Sequence, residues 1–399
     1  SMGGQSLVRD GVAASLATPA IDVDSTKKIM RVRAGARWRD VIAALDPLGF
    51  SPAVTQSNHD FSVGGTLCVN AHGWAVPFGP FGATVTSFRL MLADGTIMAC
   101  SRAENAELFA LVVGGYGLFG IVLDAELEIA DNLLLGARPE AMPAGEFASR
   151  FVAGARERGV RMAYGRLSVA RDNYLGEALL VSYRPAATQP SPLPPPRTAD
   201  AFHYLSRKVF RAQTGSEAAK KRRWYLETVI GSRTAARKTV TRNAILNIPV
   251  AALADTDRRR TDILHEYFVP PERFPDFLAA CREVIPPSGQ DLLNVTLRWL
   301  EPDTVSVLSF APVPRIAAVM LFPQQMTAEA EEQMRAMTEA LIDRVLALGG
   351  GYYLPYRLHA RADQLRKAYP RVEEFMAKKR AYDPQLRFRN MMWEKYFAS

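Results

Sequence analysis

Two glycine-bearing loops, SVGGTLCVNAHG at 62–73 and GGYGLFGIV at 114–122, constrain this chain more than anything else in it. Glycine at such density lets a backbone come close to a bulky ligand and turn N–H groups toward it, and neither loop has the spacing of a Walker or Rossmann phosphate loop. The pair implies a large cofactor of another kind. Between them, VTSFRLMLADGTIMACS at 85–101 reads as two apolar strands joined by an Asp94-Gly95 turn. NAELFALVV at 105–113 has the apolar spacing of a short helix that delivers the second loop.

This order of motifs, with RVRAGARW at 31–38, ADGT at 93–96 and NAELF at 105–109, resembles the FAD-binding domain of the vanillyl-alcohol oxidase, or PCMH-type, flavoprotein superfamily. The segments LHEYFVP (264–270), LLNVTLRW (292–299), YYLPYRLHA (352–360) and YDPQLRFRN (382–390) resemble its sugar-oxidising branch of aldonolactone oxidases, alditol oxidases and decaprenylphosphoryl-ribose oxidase. The likeness spans nearly the whole chain and is tight only in the first third. It implies an α+β fold, FAD as cofactor, and hydride removal from a CH–OH group of a sugar lactone, alditol or polyprenyl-phosphate sugar, with oxygen or another electron acceptor. The alternative substrates are a hydroxy acid or an aromatic alcohol, a cap rich in arginine being suited to a carboxylate. Outside enzymes, the alternative is a flavin-binding or membrane-docking protein without catalysis.

SMGGQ at 1–5 matches the glycine-rich pyrophosphate loop of that superfamily, followed by LVRDGVAASL where relatives have their next strand and turn. The other reading makes Ser1 and Met2 appended residues. On the loop reading the preceding strand-helix unit lies outside this sequence, together with the position of a histidine that in many relatives bonds the flavin covalently. The resemblance assigns cofactor contacts to Met2, Gly3, Gly4 and Gln5, and to Val63, Gly64, Gly65, Thr66, Asn70, Ala71, His72 and Gly73 in the first loop. It adds Gly115, Gly117, Gly120, Ile121 and Val122 in the second loop and Asn390 near the end. Ala71 would border the reactive edge of the flavin ring, where a side chain hinders oxygen, and so points toward a dehydrogenase.

At 399 residues, with 48% hydrophobic and 23% charged, the chain is long enough for two ordinary domains. The resemblance places the flavin domain at 1–131, a substrate or cap domain at 132–350, and a segment returning to the flavin site at 351–399. Strands are expected at 162–170, 177–183, 263–268, 292–299, 304–310 and 317–321, alternating with helices near 145–158, 202–227, 232–242, 271–284 and 328–348. This alternation is that of an antiparallel sheet with helices on one side. QPSPLPPPR at 189–197 has too much proline for a helix or central strand and reads as an exposed connector.

No apolar run approaches the roughly 20 residues needed to span a bilayer. Cys68, Cys100 and Cys281 fit no metal-ligand or disulfide framework, which favours a reducing, cytoplasmic setting. Cys68 reads as a small residue lining the first loop, with covalent flavin attachment as the lesser reading. Lys and Arg number 49 against 41 Asp and Glu, and the surplus gathers between 207 and 260. That stretch is either a solvated helical face or a site for an anionic membrane or anionic substrate. No nucleic-acid-binding module is recognisable.

Hydride removal from a carbon bearing a hydroxyl needs an acceptor for the hydroxyl proton and a cation near the oxygen. Arg298 is the candidate cation: Asn294, Thr296 and Arg298 share one face of a strand, as a site lining would or as a solvent face would. Tyr356 and Arg357 stand where relatives carry a lysine or another polar residue near flavin and substrate. His265, with its near-neutral intrinsic pKa, is a candidate base; Glu266 is its rival from the opposite face of the same strand. Trp74 and Asn294 complete the candidate substrate contacts with Glu266.

Overall fold

The computed structural model describes residues 4–8, 10–12, 14–16, 18–196, 207–252, 255 and 257–398. The first sheet is built from β1 (Ile21–Asp24), β2 (Ile29–Arg33), β3 (Phe50–Pro52), β4 (Val85–Met91), β5 (Ile97–Ser101) and β6 (Ile121–Asp131), ordered β1-β2-β6-β4-β5 with β3 also on β6. The β4–β5 hairpin turns at Asp94-Gly95, where Gly95 takes φ +90° and Thr96 N donates to Asp94 Oδ1 at 2.9 Å. Helix α1 (Trp38–Leu45) buries Trp38, Val41, Ile42 and Leu45, one stripe at helical spacing. The first glycine loop contains a short helix, α2 (Val63–Cys68), capped by Ser62 Oγ accepting from Gly65 N. Helix α3 (Ala106–Val112) buries Leu108, Phe109, Leu111 and Val112 and leads into the second loop.

The second sheet has eight strands, β7 (Leu134–Pro143), β8 (Met162–Leu167), β9 (Glu177–Pro185), β10 (Thr239–Thr241), β11 (Arg260–Val269), β12 (Asn294–Leu300), β13 (Arg315–Gln325) and β14 (Gly351–Tyr352), ordered β10-β7-β9-β8-β12-β13-β11-β14. Its pairings are antiparallel. Helices α4 (Phe147–Arg156), α6 (Phe274–Val284) and α7 (Ala328–Ala347) pack against it and one another, while α5 (Glu217–Tyr225) reaches its other face, where Arg223 and Trp224 meet β9 and β12. The fold is thus the α+β arrangement expected from the sequence.

Several elements differ from expectation: the helix expected over 232–242 is helical only over Ser232–Ala235 and gives way to β10, and β7 is not among the expected strands. Residues 304–310 form a loop, not a strand: Asp303 Oδ1 accepts from Val305 N at 3.0 Å and Ser306 N at 3.1 Å, which folds the backbone back before it can extend. Residues 202–206 of the helix expected over 202–227 lie outside the described residues, and the rest is interrupted at 212–216, where Gly215 takes φ +68° and its N–H donates to Asp291 Oδ2. The C-terminal segment holds three helices, α8 (Ala362–Ala368), α9 (Val372–Tyr382) and α10 (Met391–Tyr396). It returns to the first sheet's loops: Asn390 Nδ2 donates to Tyr116 O at 2.9 Å, and Met391 N donates to Leu7 O. Among the described residues no helix is long and apolar enough to cross a membrane.

Candidate functional site

The free face of the second sheet forms the floor of a cavity of about 680 Å³, whose opposite wall comes from the glycine loops of the first. Strand register sets the floor. Arg166 (β8) pairs with Thr296 (β12), Thr296 with Val319 (β13), and Val319 with Glu266 (β11), making one row across four strands. A parallel row runs Asn294–Leu321–Leu264. Alternation along β12 therefore turns Asn294, Thr296 and Arg298 into the cavity, with Leu264 and Glu266 joining from β11. The facing wall includes Gln5, Gly65, Thr66, Ala71 and Asn390, and Tyr356 reaches in from the loop after β14. The volume lies within the range of small-molecule and cofactor sites, roughly 300–1,000 Å³.

At one end of this cavity the charged groups converge. Glu266 and His72 are fully buried, with His72 Nε2 2.6 Å from Glu266 Oε1, a short polar contact off the line of a straight hydrogen bond. Tyr356 Oη donates to Glu266 Oε2 at 3.1 Å. Arg298 Nη1 donates to His72 O at 3.1 Å and Nη2 to Ser57 Oγ at 3.0 Å, leaving its buried Nε without a partner. Among the described residues Arg298 forms no ion pair within 4 Å, so the surface-ion-pair reading of this strand does not describe it. Burial alone would raise the Glu266 carboxyl, but His72, the Arg298 charge and the Tyr356 hydroxyl together hold it below the usual carboxylate range. Burial lowers His72, against the opposing pull of Glu266. An ionised Glu266 beside a neutral His72 satisfies both directions, because the carboxylate keeps Arg298 and its hydrogen-bond donors without a second buried cation. The result is a desolvated carboxylate and a guanidinium with an unused donor at one cavity end.

The candidates therefore separate. Arg298, Tyr356, Glu266, Asn294 and Trp74 line the cavity; His265 and Arg357 do not. His265 lies on the opposite face of β11 from Glu266, with Nε2 3.2 Å from Thr338 Oγ1 of α7, which also stands 3.2 Å from His359 Nδ1. Arg357 Nη1 donates to Glu331 Oε2 at 2.7 Å, and His359 Nε2 lies 2.9 Å from Glu331 Oε1. His265 and Arg357 thus belong to a cluster behind the sheet; for His265 the reason is that successive strand residues face opposite ways. Desolvation, then the nearby His359, pulls His265 down to about 3. Its folded value is depressed below the unfolded value of about 6.5, so the stability is complete above that pH and lost as pH falls toward the folded value. Acidification from about pH 7 to 5 should cost roughly 2 kcal/mol through this group. Denaturant unfolding at both pH values should show a loss smaller by that amount in His265→Gln; equal losses would contradict it.

Arg166 and Tyr353 line the cavity without having stood out in the sequence. Arg166 stands two positions from Tyr164 on one face of β8, a period-two pattern, but only pairing with β12 brings it to the site. Tyr353 lines the cavity and donates from Oη to Val69 O at 2.6 Å, tying the second sheet's last strand to the first loop. Cys68 also lines it, and desolvation pushes its thiol up to about 11, so it stays protonated.

The glycine loops need a finer account than ligand approach. A Cβ on Gly73 would stand 2.0 Å from Thr55 O, one on Gly115 2.0 Å from Leu111 O, and one on Gly120 2.4 Å from Met91 O. Gly64 likewise backs onto Ala34. These four admit the protein's own backbone, and together with Val63, Asn70, Gly117, Ile121 and Val122 they lie outside the cavity wall. Asn70 braces the loops, donating from Nδ2 to Asp303 Oδ2 and accepting from Gly82 N through Oδ1. Gly4 is described but does not line the cavity, and Met2 and Gly3 lie outside the described residues. Gly65 does line it, and Gly117 holds φ +74°. Gly65→Leu would fill the cavity wall and Gly117→Leu would strain the second loop, so both should purify without flavin. The flavin-to-protein absorbance ratio measures this, and full flavin content in both would contradict it.

Most bases of the 207–260 stretch have structural partners. Lys220 is buried, donating to Glu217 Oε1 at 2.8 Å and Asp291 Oδ1 at 2.5 Å. Arg242 is buried and donates to Ser51 Oγ and to the carbonyls of Pro52 and Ala53. Arg222, Arg233, Arg237 and Lys238 are exposed, as are Tyr225, Leu226 and Ile230 nearby.

Comparison with known proteins agrees with this geometry. Residues 1–101 match the family model described as FAD binding domain. Cytokinin dehydrogenase 2 of Arabidopsis thaliana is 34% identical over 129 residues, 32% of this chain and 26% of its own length. L-gulonolactone oxidase of Mus musculus is 31% identical over 108 residues, 27% of this chain and 24% of its own length. The chain thus spans about a quarter of the length of each of these relatives. The solved structure of a solvent-stable cholesterol oxidase superposes with a TM-score of 0.67, covering 94% of this chain and 84% of that one at 16% identity. The chain has the PCMH-type FAD-binding fold, and FAD is its cofactor.

Proposed function

We propose that this chain is part or all of an FAD-dependent oxidoreductase that oxidises a CH–OH group to a carbonyl. The observation that carries the reading is the buried Glu266 carboxylate, set beside Arg298 and Tyr356 in a cavity whose other wall is the cofactor loop. Of the residues assigned to FAD, Gln5, Gly65, Thr66, Ala71, His72 and Asn390 line that cavity and would hold it. When bound, FAD supplies the hydride acceptor. The protein's own part is acid–base and electrostatic. As the C–H pair leaves as hydride, the hydroxyl proton passes to Glu266 and the C–O bond becomes C=O. Arg298, with its unsatisfied Nε, meets the charge developing on that oxygen. His72 and Tyr356 hold the carboxylate in place.

The finer reading of a sugar-like substrate is supported by polar lining on both sides of the cavity, Gln56 and Ser57 on one and Asn294 and Thr296 on the floor. A hydroxy acid is favoured by a different observation, Arg166 at the other end of the floor row from Glu266. Peripheral contact with an anionic membrane is supported by exposed Tyr225, Leu226 and Ile230 set among Arg222, Arg233, Arg237 and Lys238.

The test of the proposal is anaerobic bleaching of the oxidised flavin band by CH–OH donors: sugar lactones, alditols and hydroxy acids. Reduction by one of them supports it, and a flavin-loaded protein inert to all of them speaks for a binding role. Ala71 lines the cavity and is 6% exposed, consistent with a side chain that restricts oxygen. Ala71→Gly should raise the reoxidation rate of reduced enzyme by oxygen while leaving reduction by substrate nearly unchanged. Equal reoxidation rates in the two forms would remove the gate.

A further inference from the structure

Three strands from Glu266, in the same row of the floor, Arg166 marks a second polar centre. At adjacent-strand spacings of about 4.8 Å, its Cα lies roughly 14 Å from that of Glu266. Beyond Thr296 and Asn294, which Arg166 itself engages, the floor toward Glu266 is apolar, with Val319, Leu321 and Leu264. Arg166 Nη1 donates to Asn294 Oδ1 at 2.7 Å and Thr296 Oγ1 at 2.6 Å, while its buried Nε makes no hydrogen bond. Arg223 stands beside it, donating to Asn294 Oδ1 at 3.1 Å and to Gln213 Oε1. Among the described residues the carboxylate near both is Glu227, 3.6 Å from Arg166 Nε and 3.4 Å from Arg223 Nη2. Two guanidinium groups, with side chains only 21% and 15% exposed, therefore share one carboxylate. A half-buried positive charge left uncompensated beside a cavity is costly, and an anion in the cavity would remove the imbalance. Burial lowers Arg223; Glu227 opposes this, and the neighbouring Arg166 adds to it.

We infer that the substrate carries an anionic oxygen group, a carboxylate or phosphate ester, that docks at Arg166 while its hydroxyl lies at Glu266 and an apolar stretch spans the floor between. The inference rests on the redox reading of the cavity and names its substrate class. An α-hydroxy acid is too short to satisfy both ends, whereas a hydroxy acid with its carboxylate remote from the reacting hydroxyl satisfies both. Arg166 then acts as a specificity residue: its guanidinium binds the charge, and its bonds to Asn294 and Thr296 fix where that charge sits.

The experiment is calorimetric titration of the FAD-loaded enzyme with ω-hydroxydecanoate, its methyl ester and lactate. A charge-assisted contact contributes about 1.5–3 kcal/mol, so the acid should bind roughly 10- to 100-fold more tightly than the ester, and lactate weakly. In Arg166→Gln the acid and ester should come within about twofold of each other. The preference in wild type should also shrink as salt rises, a readout that needs no variant. Equal binding of acid and ester to wild type, or an unchanged ratio in a folded Arg166→Gln, overturns the inference. Anaerobic flavin reduction followed in parallel keeps the two readings apart. Preferential binding of the acid without reduction by any alcohol sinks the redox reading while leaving the anion site standing. Reduction by neutral alcohols with no preference for the acid does the reverse.

Discussion

Glu266→Gln is expected to slow anaerobic flavin reduction by about 10²- to 10⁴-fold, the usual contribution of a positioned general base. The amide keeps the size of the side chain but cannot take the hydroxyl proton. The contacts of Glu266 to His72 and Tyr356 make this a demanding test, since a purely structural carboxylate in the same place would alter stability and leave the reduction rate near that of wild type. The pH dependence sharpens it. Because His72, Arg298 and Tyr356 hold the carboxyl below its ordinary value, reduction should stay constant as pH falls toward the usual carboxylate range, near about 4.3, and decline only below it. A rate that titrates near about 6.5 would point instead to an imidazole.

Arg298→Ala should cost about 10² to 10³ in the same rate, the effect of losing one donor to a developing oxyanion in a water-poor site. Arg298→Lys should be impaired as well, because an ammonium lacks the planar fork through which Arg298 donates to both His72 O and Ser57 Oγ. Thermal melting separates rate from folding: the catalytic account requires the rate loss in variants that still melt cooperatively. A wild-type rate in Arg298→Ala would place the stabilising charge elsewhere.

Local chemistry made much of this site legible. Period-two alternation put Asn294, Thr296 and Arg298 on one face of β12, and the register with β13 shows that face to be the cavity floor. The Asp94-Gly95 turn and the apolar stripe of α1 were equally readable, since each depends on residues within a few positions. What alternation could not supply was which face of β11 looks inward. LHEYFV carries polar residues on both faces, and both faces are buried, one by the cavity and one by α7, so only tertiary pairing decides for Glu266 over His265. Arg166 shows the same limit, for nothing near β8 in sequence says that it lies alongside β12. In the expected strand over 304–310, one carboxylate, Asp303, outweighed a β-prone run of side chains by capping the turn. The glycines marked a crowded backbone correctly, but at Gly73, Gly115 and Gly120 the crowding is with the chain itself.

The most direct measurement is stopped-flow flavin reduction under anaerobic conditions, with wild type and Glu266→Gln compared on the same CH–OH donor at equal flavin content. The account predicts rapid bleaching of the oxidised flavin band in wild type and bleaching slowed at least about 10²-fold in Glu266→Gln. Bleaching at the same rate in both proteins would contradict it, because the hydroxyl proton would then have another destination.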